Sequence, residues 1–148
     1  MRVERDITID APPEEVWKVL MDPNRLADWV SIHQKLKNAP NEILSEGDTL
    51  TQCLRLMHKN FNVDWTVEQA REPKKAVWEG HGPVRSKAMV TYELTADENG
   101  GTHFHYVNEL KAPMGPLGRF FADHAFQRSS EREADKTLDN LKAILEQH

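Results

Sequence analysis

Residues 3–17 read Val-Glu-Arg-Asp-Ile-Thr-Ile-Asp-Ala-Pro-Pro-Glu-Glu-Val-Trp, and residues 22–29 read Asp-Pro-Asn-Arg-Leu-Ala-Asp-Trp. Val3, Arg5, Ile7 and Ile9 alternate with Glu4, Asp6, Thr8 and Asp10, the period-two pattern of a strand with two different faces. Pro12 and Pro13 end that strand and suit the first turn of a helix, where a missing N–H costs little. Glu14 and Glu15 follow where a helix N-terminus favours negative charge. Val16, Val19 and Leu20 then recur at helical spacing around Trp17. Asp22-Pro23 repeats the start signal, so a second short helix runs on to Trp29.

Outward from this opening, strand candidates follow one another between turn residues. Val30 to Lys37 is the least patterned. Gly47-Asp48 precedes Thr49 to His58, where Leu50, Gln52, Leu54 and Leu56 share one face. Lys59-Asn60 turns into Phe61 to Ala70, with Phe61, Val63, Trp65 and Val67 aligned. Lys75 to Gly80 is set off by Pro73 and by Gly82-Pro83. Ser86 to Ala96 alternates through Ala88, Val90, Tyr92 and Leu94. Asn99-Gly100-Gly101 makes a hairpin turn into Thr102 to Leu110, which carries Phe104, Tyr106, Asn108 and Leu110 on one face. A loop rich in Gly and Pro covers residues 112–118. Arg119 to Glu146 lacks both residue types and reads as one long helix striped by Phe121, Ala125, Leu138, Leu141 and Leu145.

Consecutive strands joined by short turns make an antiparallel sheet, and one amphipathic helix must bury its stripe against that sheet. The expected fold is therefore α+β: a curved antiparallel sheet of about six to seven strands wrapped around a long C-terminal helix, with two short helices after the first strand. No repeat, low-complexity tract or linker divides the chain, so residues 1–148 are expected to form a single domain.

The strand, double proline, Trp17 helix and Asp22-Pro23 helix ending in Trp29 strongly resemble the opening of the SRPBCC superfamily, the START-like and polyketide-cyclase-like proteins. The element order of the remaining chain is similar to their helix-grip fold. The resemblance implies a gap between sheet and helix that takes an apolar or aromatic small molecule. Residues whose parity places them toward that gap are Gln52, Leu54, Leu56, Trp65, Trp78, Tyr92, Phe104, Tyr106 and Asn108 from strands. Phe120, Phe121, His124, Phe126 and Arg128 join them from the helical region. Pockets are typically apolar with a few placed polar groups. Gln52, His58, Asn108, His124 and Arg128 are the candidates for those groups, because each interrupts an apolar face. Trp17 and Trp29 are expected to pack structurally. Met114 and Leu117 would sit at the pocket mouth, where motion of the 113–118 loop would gate access.

Composition narrows the function classes. Of 148 residues, 39% are hydrophobic and 29% charged, as in a soluble globular protein. A net charge of −5, with Arg and Lys dispersed among acids, argues against a nucleic-acid partner. Cys53 stands alone, so an internal disulfide is excluded and a reducing, cytoplasmic setting is expected. No run suits a membrane span, and no secretory signal is expected.

Catalytic signatures are few. His103 and His105 share a strand face, opposite Phe104 and Tyr106 and so toward solvent; no metal or cofactor is expected. Cys53 lies off the leucine face without an activating base, and Ser129 and Ser130 lack an elbow motif. No phosphate loop or dinucleotide fingerprint is present. Glu131, Glu133 and Asp135 read as a solvated helix face. Three functions follow as expectations. The first is a binder or carrier of a hydrophobic small molecule. The second is a cyclase- or dehydratase-like enzyme, requiring at least two of Tyr106, Asn108, His124 and Arg128 to converge. The third is a protein-interaction or accessory maturation module, requiring a broad exposed apolar patch.

Overall fold

The computed structural model of the chain describes residues 1–147. Its element order is β1 (Arg2–Ile9), α1 (Pro13–Leu20), a 3-10 turn (Pro23–Arg25), α2 (Leu26–Trp29), β2 (His33–Lys37), β3 (Thr49–Leu56), β4 (Lys59–Arg71), β5 (Lys75–His81), a second 3-10 turn (Pro83–Arg85), β6 (Lys87–Ala96), β7 (Thr102–Lys111), α3 (Pro116–Ala122) and α4 (His124–Leu145). One seven-stranded sheet runs in the order β1-β7-β6-β5-β4-β3-β2, with every pairing antiparallel. This is the helix-grip arrangement expected from the hydrophobic periodicity.

Local chemistry sets the helix starts. Pro13 occupies the first position of α1, with Glu14 and Glu15 in its first turn. The Asp22 carboxylate accepts from the Asn24 N–H at 3.0 Å, opening the 3-10 turn that leads into α2. Two irregularities bend the sheet, between His33 and Lys35 of β2 and between Val67 and Gln69 of β4. On its concave face Gly80 lies directly opposite Trp65, whose ring covers it.

The expected single helix over 119–146 is two helices. Asp123 breaks the run with an extended backbone (φ −69°, ψ 137°) and caps α4, its carboxylate accepting from the Ala125 N–H at 2.7 Å. The first strand after α2 is also shorter than expected, since Val30 caps α2 and pairing begins at His33.

The space between sheet and α4 is filled at one end and hollow at the other. Ile9, Leu20, Phe104, Leu138 and Leu141 are fully buried together toward the C-terminal half of α4. The N-terminal half of α4 faces the hollow end. Polar ties hold that helix in place: Ser31 N–H donates to Thr137 Oγ1 at 3.0 Å, Asn140 donates to the Trp29 carbonyl at 3.3 Å, and Arg5 pairs with Asp135 at 2.8 Å.

Candidate functional site

The hollow end is a cavity of about 160 Å³. Apolar cavities near 150 Å³ hold a benzene-sized ring, so this one encloses about one ring, and it opens past Gly82, Pro83 and Lys87, where the rest of a larger ligand extends. Its floor is aromatic because inward-facing positions of neighbouring strands lie opposite one another, as Tyr92 and Tyr106 do, or one step diagonal, as Trp65, Trp78 and Tyr92 do. Trp65 meets Trp78 edge-on at 5.9 Å, Trp78 meets Tyr92 at 6.0 Å, and Tyr92 stacks on Tyr106 at 6.2 Å. Leu54, Leu56 and Phe61 form one side, and Phe121 and Phe126 close the end nearest α3. Gly80 and Ala88, paired across β5 and β6, present almost no side chain on the concave face.

Ten of the fourteen inward-facing candidates line this cavity: Gln52, Leu54, Leu56, Trp65, Trp78, Tyr92, Tyr106, Asn108, Phe121 and Phe126. Phe104 does not. It is completely buried in the filled end of the sheet–helix space, packed on Tyr92 at 5.7 Å and Tyr106 at 6.4 Å. Phe120 lies outside the lining, packed on Phe126 at 5.0 Å. His124 and Arg128 also lie outside the lining and are exposed. Their inward placement assumes one uninterrupted helix counted from Phe121, and the break at Asp123 resets the helical phase. The inward face of α4 is instead Phe126, Ser130, Ala134 and Thr137. His58 is exposed in the β3–β4 turn.

Sequence reasoning misses Trp29, Ser130 and Glu133, all of which border the cavity. Its family position assigns Trp29 to packing, which it also performs, tilted against Tyr92 at 6.1 Å. Helix patterning assigns Glu133 to solvent, yet it is half-buried and accepts from Ser31 Oγ at 2.6 Å. Ser31, inside the least patterned strand candidate, offers no signal of this contact.

Polar groups around the cavity divide into paired and unpaired sets. Trp65 Nε1 donates to Gln52 Oε1 at 2.9 Å, and the Gln52 amide meets His33 Nδ1 at 2.8 Å. Burial lowers the His33 pKa, so the ring is neutral and its Nδ1 accepts from Gln52. By contrast, Trp29 Nε1, Trp78 Nε1, Asn108 Oδ1 and Ser130 Oγ are buried with no hydrogen-bond partner. Each such group carries a desolvation cost of about 1–3 kcal/mol. The Asn108 amide donates to Tyr106 Oη at 3.3 Å, which leaves its carbonyl oxygen as the free acceptor. Burial pushes Tyr106 up to about 12 and Tyr92 well above its ordinary value. Both phenols therefore stay protonated and act as neutral donors.

On the outer face, β1 completes a cluster that sequence spacing does not reveal. Asp6 Oδ1 meets His103 Nε2 at 2.9 Å and His105 Nδ1 at 2.8 Å, while Glu4 meets His105 Nε2 at 2.9 Å. The hydrogen bond that His105 donates to the Asp6 carboxylate raises the His105 pKa and lowers that of Asp6. Among the described residues, no three His, Cys, Asp or Glu side chains gather as a metal ion would require.

Comparison with known proteins agrees with this architecture. The family model described as polyketide cyclase / dehydrase and lipid transport matches residues 1–146. A Mycobacterium tuberculosis (strain ATCC 25618 / H37Rv) protein named Toxin Rv0910 is 24% identical over 135 residues, covering 90% of this chain and 92% of that protein. Among solved structures, TTHA0849 from Thermus thermophilus superposes with a TM-score of 0.80 at 16% identity, covering 98% of this chain and 97% of that one. DynU16, from the dynemicin biosynthetic locus, superposes with a TM-score of 0.68 at 17% identity, covering 98% of this chain and 47% of its own. At these identities the structural likenesses establish the fold alone.

Proposed function

This chain belongs to the polyketide cyclase/dehydrase and lipid transport family, and from that premise we propose that it binds or carries an apolar, aromatic small molecule in the sheet–helix cavity. One observation carries the reading: a cavity of about 160 Å³ whose aromatic wall is interrupted by buried, unpaired hydrogen-bonding groups. A core selected only for stability would fill the space or satisfy those groups. A ligand with a neutral oxygen substituent gains on both counts, burying its ring and meeting Asn108 Oδ1 or an indole N–H. The lone Cys53 supports a reducing, cytoplasmic setting, and the acidic overall charge argues against nucleic acid as the cargo.

The test combines native mass spectrometry of mildly purified protein with titration by 1-naphthol. Trp29, Trp65 and Trp78 line the cavity, so their fluorescence reports occupancy directly. A discrete co-purifying mass that naphthol displaces, with saturable fluorescence change, is expected. Absence of both a bound compound and a saturable response refutes the reading.

A second reading, acid–base chemistry of the cyclase or dehydratase kind, has its own observation in the Tyr106–Asn108 pair and the Glu133 carboxylate at the cavity border. Tyr106 would donate and Glu133 would accept a proton. Under this reading Glu133→Gln abolishes turnover of a poly-β-keto substrate while leaving naphthol binding within about twofold. Under the carrier reading no turnover occurs with either form.

A further inference from the structure

Residues 57–60, 81–87 and 111–119 contain Lys59, Arg85, Lys87, Lys111 and Arg119 and no Asp or Glu. With +5 in these segments and −5 overall, the remaining chain carries −10. The segments are far apart in sequence, but antiparallel pairing brings them to one end of the sheet: the β3–β4 turn, the β5–β6 turn and the exit from β7. That end is the cavity mouth, since Leu56, Gly82, Pro83 and Lys87 are among its lining residues. All five cations are exposed. Among the described residues, none of the five has a carboxylate within salt-bridge distance. Lys87 and Lys111 even sit directly opposite each other across β6 and β7, a like-charge pairing that works against the sheet.

Each of the three segments also holds out an apolar side chain. Met57 is 38% exposed, Val84 70% and Met114 fully so. Val84 and Arg85 both adopt the left-handed region, at φ 53° and 58°. A β-branched residue there is a genuine outlier, and such strain collects where a surface does something. At this mouth the strained turn projects Val84 into solvent beside two cations. Lys59 lies over the Phe120 ring at 4.5 Å, joining the β3–β4 turn to α3.

We propose that the cavity mouth docks on an anionic lipid bilayer, with Met57, Val84 and Met114 dipping into the headgroup region and the five cations meeting phosphates. Interfacial binding of this kind combines buried apolar area with attraction to anionic lipid. A protein partner would call for a contiguous apolar core with charges at its rim. Here the apolar tips are separate, interleaved with cations and arranged around an opening. The proposal deepens the binding reading by naming where an apolar ligand enters and leaves. Its own test needs no ligand.

That test is vesicle co-sedimentation of the whole chain at low salt, on phosphatidylcholine alone and on phosphatidylcholine with one-third phosphatidylglycerol. Retention on the anionic vesicles only, released by high salt, is expected. Each interfacial cation contributes about fivefold, so Lys87→Gln with Lys111→Gln lowers the partition coefficient about 25-fold. Val84→Asn separates docking from folding. Asn tolerates the left-handed backbone, so thermal stability holds or rises while vesicle binding falls several-fold; Met114→Ser lowers binding likewise without touching the fold. Equal retention on both vesicle types, no retention at low salt, or indifference to the Lys and Val84 changes would overturn the proposal. Binding to soluble poly-glutamate that ignores Val84→Asn and Met114→Ser would overturn it in favour of an acidic protein partner. Naphthol titration of Val84→Asn and Met114→Ser, neither of which lines the cavity, reports the cavity separately, so loss of docking with intact titration leaves the binding reading standing.

Discussion

Gly80 shows how much one position decides. A Cβ added there would stand 2.6 Å from Val63 Cγ1 and 2.8 Å from the Trp65 ring. Gly80→Ala must push Trp65 away from Gln52 or bend β5, an overpacking cost of about 1–3 kcal/mol. Calorimetry should show the melting temperature falling by about 2–4 °C per kcal/mol at this chain length. Asn108 makes the opposite prediction. Its unpaired Oδ1 stabilises nothing in the protein alone, so Asn108→Leu should melt at or above the wild-type temperature while binding naphthol more weakly. On the outer face the pH dependence has a definite sign. His105 is raised above 6.5, so its contribution is fully present below that pH and is lost as pH rises through the folded value. Asp6 is lowered below 3.8, so its contribution is present above that pH and is lost as pH falls through its folded value. The stability difference between wild type and Asp6→Asn should therefore be greatest between these limits. NMR titration should also show the His105 pKa falling in the variant.

At the scale of elements, the strands were legible and the helical region was less so. Period-two alternation placed five of the strands, because a half-buried strand writes its orientation into every second side chain, and flanking turn residues bounded Val30 to Lys37 and Lys75 to Gly80. The helix break at Asp123 left a weaker trace. Residues 119–146 contain no Gly or Pro, and Asp is acceptable on an exposed helix face as well as at a cap. What distinguishes the two roles is whether the preceding turn can pack elsewhere, as α3 does through Phe120 and Phe121 against Phe126 at 5.0 Å. Asp123→Ala removes the cap and should cost about 1 kcal/mol. Hydrogen exchange should quicken over the first turn of α4 and leave its C-terminal half unchanged. Asp123→Asn, which keeps the cap, should behave as wild type.

At the scale of the whole molecule, a ligand that enters only the folded cavity must stabilise it by mass action. At a hundredfold excess over Kd the gain is about 2.7 kcal/mol, which appears as a rise of several degrees in melting temperature. Naphthol should produce that rise and benzoate should not, because among the described lining residues Lys87, at the mouth, is the one Lys or Arg side chain, and the Met1 ammonium is engaged with the Leu110 carbonyl at 3.0 Å. The lysines and arginines that look dispersed along the chain converge at that mouth because turns about thirty residues apart share one end of an antiparallel sheet. The sequence alone determined the succession of strands, the concave faces and the family, since each depends on periodicity and on start signals read locally. Only the tertiary structure decided which inward residues border a space and which are walled in. Phe104 and Tyr106 have the same strand parity, and what separates them is that Phe104 lies in the core with Leu138 and Leu141 while Tyr106 shares the cavity lining with the small Ser130 and Ala134. That depends on helix phase, reset at Asp123 by a contact no local pattern records.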